Sequence, residues 1–153
     1  MGQKIETILA STRRAVVTIS PEASLQTAAR LMNRERIGSL VVMDEGESIV
    51  GILSERDILK GFADADADIR EMEVRRVMTH REKLIVGQSS DTVGQLMAVM
   101  TRNQVRHIPI LSRDEPYRLI GMISIGDLVN AKLSDSHTEN RFLRDYIAGT
   151  YPG

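Results

Sequence analysis

A seven-residue pattern occurs twice in this chain, as GILSERD at residues 51–57 and as GMISIGD at residues 121–127. Glycine, serine and aspartate occupy the same places in both copies, at a constant offset of 70 residues. In each copy an apolar run typical of a strand precedes the serine, and a run typical of a helix follows it. The repeated strand-to-helix corner predicts two related units and so restricts the possible folds more than any other feature.

The residues before each corner also repeat, here at an offset of 68. The stretch VVTISPEASLQTAARLMNRERIGSLVVM predicts a strand, a turn at Pro21, a helix capped by Ser24 and a second strand. The stretch KLIVGQSSDTVGQLMAVMTRNQVRHIPIL predicts the same order, with Asp91 as the helix cap. Each helix has one apolar stripe, formed by Leu25, Ala28, Ala29 and Met32 in the first copy and by Val93, Leu96, Met97 and Met100 in the second. Turn-rich segments, DEGES and SRDEPYR, then predict a hairpin in each copy.

Each copy therefore predicts an α+β (α/β-like) unit with the order strand, helix, strand, strand, helix. A unit of about 50 residues has little core and would be marginal alone. We expect the two repeats to pack sheet to sheet around a shared core, with pseudo-two-fold symmetry. The predicted divisions are repeat 1 at 5–62, a linker or solvated helix at 63–76, repeat 2 at 77–132 and a C-terminal tail helix at 133–153. The apolar tail residues expected to pack on the body or on another subunit are Phe142, Leu143, Tyr146 and Ile147.

Composition excludes several classes of protein. The net charge of −1 provides no field for nucleic acid or for an anionic membrane, and no apolar stretch approaches the length of a membrane span. The chain has no cysteine, so it has neither a disulfide framework nor a thiolate metal site. These features predict a soluble, cytoplasmic protein that binds neither nucleic acid nor membrane.

The doubled corner has two compatible interpretations. Ser-x-x-Asp is close to a capping box, in which the serine accepts from the backbone N–H three residues on and the carboxylate accepts from the N–H of the serine. The same corner offers a hydroxyl and backbone N–H groups to a phosphate, and a carboxylate to a ribose diol. The preceding glycine, Gly51 or Gly121, is where a side chain would obstruct the close approach of a ligand.

Catalytic and metal chemistry are poorly supported. Gly121 and Gly126 have the glycine spacing of a phosphate-binding loop, but Asp127 stands where that loop requires lysine. The three histidines are scattered, so no metal site is expected. Ser124, His107 and Asp127 would supply a catalytic triad, but the Gly-x-Ser-x-Gly elbow is missing. No catalytic residue is predicted, and an enzyme acting on a nucleotide is the least favoured hypothesis.

The two halves resemble a tandem pair of CBS domains, the module named after cystathionine β-synthase. GILSERD, GMISIGD, VVTISPEASLQTAARLM and VRHIPIL carry the resemblance, which covers about residues 5–132. The chain is similar to short bacterial stand-alone CBS-pair proteins, including the tail segment LRDYIAG. The resemblance implies β-α-β-β-α repeats that pack through their sheets into a CBS pair, and pairs that commonly form homodimers.

The resemblance also implies that clefts between the repeats bind an adenosine-containing ligand such as AMP, ADP, ATP, NAD or S-adenosylmethionine. The expected ribose contacts are Asp57 and Asp127. The expected phosphate or ribose contacts are Ser54, Arg56, Ser124, Arg106 and His107. The residues expected to form the adenine pocket are Val17, Thr18, Ile19, Thr79, Ile85, Val86 and Pro109.

Some of these roles have alternatives. Arg106 is equally interpreted as a surface residue, and His107 as a satisfied cleft or core histidine. Because the copies differ at these positions, two unequal clefts are expected. The predicted function is a non-catalytic sensor that acts on its own dimer or on an unidentified regulated protein. The alternative is a protein-interaction or scaffold module with vestigial clefts.

Overall fold

The structure, a computed structural model, describes residues 2–12, 14–45, 48–112 and 118–134. The chain divides into two compact units. The first-corner unit is Ala15–Val86, and the second-corner unit joins the residues up to Arg14 with those from Gly87 onward. Helix α1 (Ile5–Thr12) therefore belongs with the elements of the second repeat. Most of the predicted tail helix, including its four apolar residues, lies outside the described residues.

Among the described residues, the first-corner unit contains a four-stranded sheet, two α-helices and two short 3-10 helices, Val74–Arg76 and Arg81–Lys83. Its elements are β1 (Thr18–Ile19), α2 (Leu25–Glu35), β2 (Ser39–Met43), β3 (Ile49–Ser54), α3 (Glu55–Asp64) and β4 (Thr79–His80). The strand order is β1-β2-β3-β4, with β1 parallel to β2 and the other pairs antiparallel. The hairpin predicted before the first corner is thus confirmed.

The second-corner unit repeats this plan with three strands. Its further elements are β5 (Gly87–Gln88), α4 (Val93–Asn103), β6 (His107–Leu111), β7 (Leu119–Ser124) and α5 (125–134). β5 pairs with β6 in parallel, and β6 pairs with β7 in an antiparallel hairpin. The register shift at Val42/Met43 recurs at Ile110/Leu111, 68 residues later. The predicted α+β class, with its two sheets, is confirmed.

Helices α2 and α4, of 11 residues each, both begin at a hydroxyl-bearing cap residue. Ser24 caps α2 as predicted, since its hydroxyl accepts from the Thr27 N–H at 3.1 Å. The prediction for α4 is wrong by one residue, because Thr92 is the cap and forms a capping box with Gln95. That pairing satisfies two N–H groups at once, whereas the Asp91 carboxylate accepts from the Gln88 N–H in the preceding turn.

The apolar stripes mostly face the core. Leu25, Ala28 and Met32 are buried in α2, as are Val93, Leu96 and Met100 in α4. Ala29 is exposed and Met97 is half-buried, so one member of each predicted stripe lies at its edge. The periodicity therefore identified the buried face of both helices.

The acidic-to-basic linker is not a helix. Helix α3 ends at Asp64, residues 65–73 contain no helical residue, and Val74–Arg76 form a short 3-10 helix, so no single helix spans the linker. Ile69 and Val74 are buried in the core of the first-corner unit. The Leu25 N–H at the start of α2 donates to the Met72 carbonyl at 2.9 Å. The linker thus supplies both core residues and an acceptor to the first repeat.

The N-terminal segment has the same role in the second-corner unit. The Val93 N–H at the start of α4 donates to the Gln3 carbonyl at 2.9 Å. The Ile5 N–H donates to the Asp91 carbonyl at 2.8 Å, as the Val74 N–H donates to the Ala23 carbonyl at 2.8 Å. Each repeat is therefore completed by the segment that precedes the other repeat in sequence.

Candidate functional site

The first corner, Ser54 to Asp57, joins β3 to α3 through a complete capping box. The Ser54 N–H donates to Oδ2 of Asp57 at 2.9 Å, and the Asp57 N–H donates to the Ser54 hydroxyl at 3.2 Å. The Glu55 N–H donates to the Gly38 carbonyl at 3.0 Å. The capping interpretation of the corner is confirmed, and it uses only one oxygen of the carboxylate.

The second corner, Ser124 to Asp127, joins β7 to α5 with the same geometry. The Ser124 N–H donates to Oδ2 of Asp127 at 2.9 Å, and the Asp127 N–H donates to the Ser124 hydroxyl at 3.2 Å. The Ile125 N–H donates to the Arg106 carbonyl at 2.8 Å. The two repeats therefore have the same cap. In both, the first N–H of the helix also donates to the carbonyl of the residue that precedes β2 or β6.

The glycines of the corners accommodate neighbouring parts of the chain. A Cβ at Gly51 would lie 2.5 Å from the Thr79 carbonyl oxygen and 2.9 Å from Sδ of Met78. A Cβ at Gly121 would lie 2.5 Å from Cδ2 of Leu9 in α1. The close approach that the sequence suggested for a ligand is made in the structure by the segment that leads into the other repeat. We call these segments the first lead-in, residues 65–83 of the first-corner unit, and the second lead-in, residues 2–14 of the second-corner unit.

The second carboxylate has a partner that sequence analysis missed. The Arg14 guanidinium forms an ion pair with Oδ1 of Asp127, the oxygen outside the cap. The Asp127 side chain is 11% exposed and that of Arg14 is 54% exposed. No motif near Arg14 or Asp127 predicts this ion pair. The repeat pattern is also misleading here, because it assigns Arg14 to repeat 1.

The first carboxylate has no such partner. Asp57 forms no ion pair within the described ranges. At the offset of 68 residues, Arg14 corresponds to Glu82, whose charge has the opposite sign. The first lead-in therefore has no arginine at the matching position.

The other predicted phosphate contacts lie at or beside the corners. Arg56 is exposed in the first turn of α3, and Arg106 is exposed just before β6. His107 is half-buried and lies opposite Ser124 in the antiparallel β6–β7 register, so the two side chains share a face of the sheet. Arg106 and His107 thus belong to the second corner, whereas Arg56 belongs to the first.

The predicted adenine-pocket residues are divided between the two units. Pro109, a buried residue of β6, lies in the second-corner unit. The others lie in the first-corner unit: Val17, Thr18, Ile19, Thr79, Ile85 and Val86. There the first three lie in or beside β1, and Thr79 is in β4, at the opposite edge of the sheet. Ile19 is buried, Thr18 is exposed, and Val86 is 45% exposed.

A second surface feature is an open apolar groove between α2 and α3, which we call the α2–α3 groove. Its volume is about 450 Å³, and its apolar lining is Leu25, Ala29, Ile58, Leu59, Phe62 and Ile69. Leu59 and Phe62 are 67% and 69% exposed, and α3 has no buried residue. An amphipathic helix with an uncovered apolar face is typical of a contact surface.

Comparison with known families decides the family of this chain. The family model described as CBS domain matches twice, at residues 5–64 and 74–134. The chain belongs to the CBS domain family. The tandem arrangement makes it a CBS pair, as the repeated corners predicted.

Individual relatives agree with this assignment. The CBS pair is 36% identical, over 126 residues, to the mitochondrial CBS domain-containing protein CBSX3 of Arabidopsis thaliana. The match covers 81% of this chain and 60% of that relative, so the chain spans less than two thirds of its length. A crystal structure of the CBS-domain protein ATU1752 from Agrobacterium tumefaciens has a TM-score of 0.78 and 36% identity, covering 86% of this chain and 95% of the other.

A more distant structure shares the fold. The CBS domain pair of protein MJ0100, in complex with 5-methylthioadenosine and S-adenosyl-L-methionine, has a TM-score of 0.74 and 20% identity. The match covers 88% of this chain and 99% of that one.

Among the described residues, the CBS pair has no helix with the length and apolar character needed to cross a membrane.

Proposed function

We propose that this CBS pair is a non-catalytic regulatory module that binds an adenosine-containing ligand, such as AMP, ADP, ATP, NAD or S-adenosylmethionine, through Asp57 and Asp127. The observation that carries the proposal is the doubled capping box, in which each carboxylate keeps Oδ1 outside the cap. A ribose diol donates hydrogen bonds, and a carboxylate oxygen is an acceptor suited to it. The MJ0100 pair, described with two adenosine-containing ligands, supports this ligand class.

The helix N-termini at the corners support an anionic group on the ligand. In each first turn the N–H of the first residue donates to a backbone carbonyl, that of Gly38 or Arg106, and the N–H of the third residue donates to the capping serine. The N–H of the second residue, Arg56 in α3 and Gly126 in α5, has no acceptor within its own helix and suits a phosphate oxygen. Arg56 in the first unit, and Arg106 with His107 in the second, are the proposed side-chain contacts to that phosphate.

Calorimetric titration of the five candidate ligands tests the proposal. Binding near micromolar, roughly −8 kcal/mol, would suit a metabolite sensor. In Asp57→Asn and Asp127→Asn, the amide oxygen keeps the acceptor that the cap needs, while an NH₂ replaces the oxygen that would accept from ribose. Each variant is expected to weaken binding at its own corner by about tenfold or more, whereas Asp68→Asn, which removes an exposed carboxylate elsewhere, leaves it unchanged.

The proposal fails if none of the five ligands gives heat or a thermal shift with the unsubstituted protein. Binding that survives both substitutions unchanged would also contradict the assigned role of the carboxylates. The preferred adenosine compound, the expected cleft between the repeats, the cytoplasmic location and the regulated protein stay predictions.

A second candidate function is self-association through the α2–α3 groove, which would give the predicted homodimer. The exposed Leu59 and Phe62 favour it, because a pair of large apolar side chains on one helix face gains free energy when covered. Light scattering after gel filtration is expected to give a dimer mass for the unsubstituted chain and a monomer mass for Phe62→Glu. Lys60→Glu, an exposed change on the same helix, is the control and keeps the dimer.

The scaffold alternative with vestigial clefts has a simple test of its own. Heating the purified protein releases any bound nucleotide, which mass spectrometry then identifies. A released adenosine compound supports the sensor, whereas a dimer that neither carries nor binds one supports the scaffold.

A further inference from the structure

We infer that Arg14 makes the second corner selective for phosphorylated adenosine ligands over neutral adenosine. The inference rests on the proposed function, since it concerns the ligand that Asp127 would hold. Arg14 occupies the one oxygen of that carboxylate which the cap leaves for a ribose hydroxyl. A ligand at this corner therefore meets an ion pair rather than an unpaired carboxylate.

Helix α1 brings the chain at Arg14 to the second corner. Ile5 and Ile8 are buried, and Leu9 packs on Gly121 of β7. The Glu6 N–H donates to the Ser89 carbonyl at 3.0 Å, which ties the start of α1 to the second repeat. Arg14 lies two residues beyond the end of α1, so the anchored helix delivers its side chain to the second corner.

The burial of the two partners differs in a way that permits exchange. The carboxylate side chain of Asp127 is largely covered, at 11% exposure, whereas the Arg14 side chain is 54% exposed. The carboxylate is held in place by the cap, but the arginine can turn towards solvent or towards a ligand. A ribose hydroxyl that approaches Oδ1 must replace the Arg14 guanidinium there.

This replacement favours an anionic ligand. A bond from a guanidinium to a carboxylate is charge-assisted, and a neutral hydroxyl alone is a weaker donor. Neutral adenosine therefore breaks the ion pair and leaves the arginine without a partner. A 5′-phosphate on the same ribose offers the displaced guanidinium two oxygens in a geometry that its planar fork matches.

This effect of Arg14 belongs to the second corner alone. Asp57 has no ion pair within the described residues, and the position that matches Arg14 in the first lead-in is Glu82. A hydroxyl can bond Oδ1 of Asp57 without displacing a cation. The two corners would thus bind the same sugar with different preferences for what it carries.

Calorimetry in an Asp57→Asn background tests the inference, because there the second corner dominates the signal. The ratio of the adenosine Kd to the AMP Kd is measured with Arg14 and with Arg14→Gln. We expect the substitution to weaken AMP by about tenfold while adenosine binding is unchanged or tighter, so the ratio falls by at least about tenfold. Arg34→Gln, which removes another exposed arginine paired with a carboxylate, leaves the ratio unchanged.

Each outcome separates the inference from the proposed function. If both ligands bind and Arg14→Gln weakens them equally, Arg14 is only a structural clasp for α1 and the inference is wrong. If Arg14→Gln changes neither Kd, the inference is wrong as well. If neither ligand binds the unsubstituted protein and no other adenosine compound does, the proposed function itself has failed, and the inference fails with it.

Discussion

The two corners of this CBS pair are alike in their backbones and different in their surroundings. Both caps have serine-to-aspartate distances of 2.9 and 3.2 Å. Yet Asp127 is paired with Arg14, and Asp57 has no ion pair in the described part of the chain. The comparison teaches that the repeat determines the cap, whereas the segment packed beside it determines what the carboxylate can bind.

The difference arises in the lead-in segments. Both donate equivalent backbone hydrogen bonds, from Val74 to Ala23 and from Ile5 to Asp91, each at 2.8 Å. The first lead-in then adds strand β4 beside Gly51, but the second places helix α1 beside Gly121. Gly51 is therefore packed by a backbone carbonyl together with the Met78 side chain, whereas Gly121 is packed by the Leu9 side chain alone.

The largest expected effect distinguishes these two glycines. Gly51→Ala forces a Cβ against the Thr79 carbonyl, which cannot move without disturbing the β3–β4 pairing, so a loss of about 1–3 kcal/mol of unfolding free energy is expected. Gly121→Ala meets only the end of the Leu9 side chain, which can rotate, and costs less. Urea unfolding measures both, and a larger loss at Gly121 would contradict the described packing.

The caps themselves should be equal. Ser54→Ala and Ser124→Ala each remove the acceptor for one backbone N–H, and each is expected to cost about 1 kcal/mol of unfolding free energy. The two values are measured side by side in urea. A difference above about 0.5 kcal/mol would show that the caps are not equivalent.

The smallest effect concerns the ion pair. Asp127→Asn is expected to lower the unfolding free energy more than Asp57→Asn, by about 0.2–1 kcal/mol at low salt. Among the described residues Asp127 has a cationic partner and Asp57 has none, and that partner is about half exposed. Salt screens such a pair, so the excess should vanish near 1 M salt. An excess that persists at high salt would contradict the ion pair as its cause, and an excess at Asp57 would contradict the asymmetry itself.

Much of this architecture could be predicted because it is local. The period of the apolar stripes, the turn residues between β2 and β3, and the Ser-x-x-Asp spacing are all short-range patterns. The cap of α4 was misplaced because Asp91 and Thr92 are both good capping residues, and the choice depended on Gln95. The sequence therefore described each repeat well but left its ends uncertain.

The contact between Arg14 and Asp127 could not be predicted, because 113 residues separate its partners. The repeat pattern assigned Arg14 to the first copy, and only the packing of α1 brings it to the second. The roles of Arg56, Arg106 and His107 toward a ligand stay predictions for a different reason. Their placement at the corners follows from the strands and helices, whereas their contacts depend on the ligand.

The most direct test of the central claim is titration of the double variant Asp57→Asn, Asp127→Asn with the adenosine compound that the unsubstituted protein binds most tightly. Circular dichroism and the melting temperature serve as the control, since the amide oxygens preserve both caps. We predict that the folded double variant loses binding by about tenfold or more at both corners, because each corner loses its own carboxylate contact. A folded double variant that binds with unchanged Kd would contradict the claim that these two carboxylates hold the ligand.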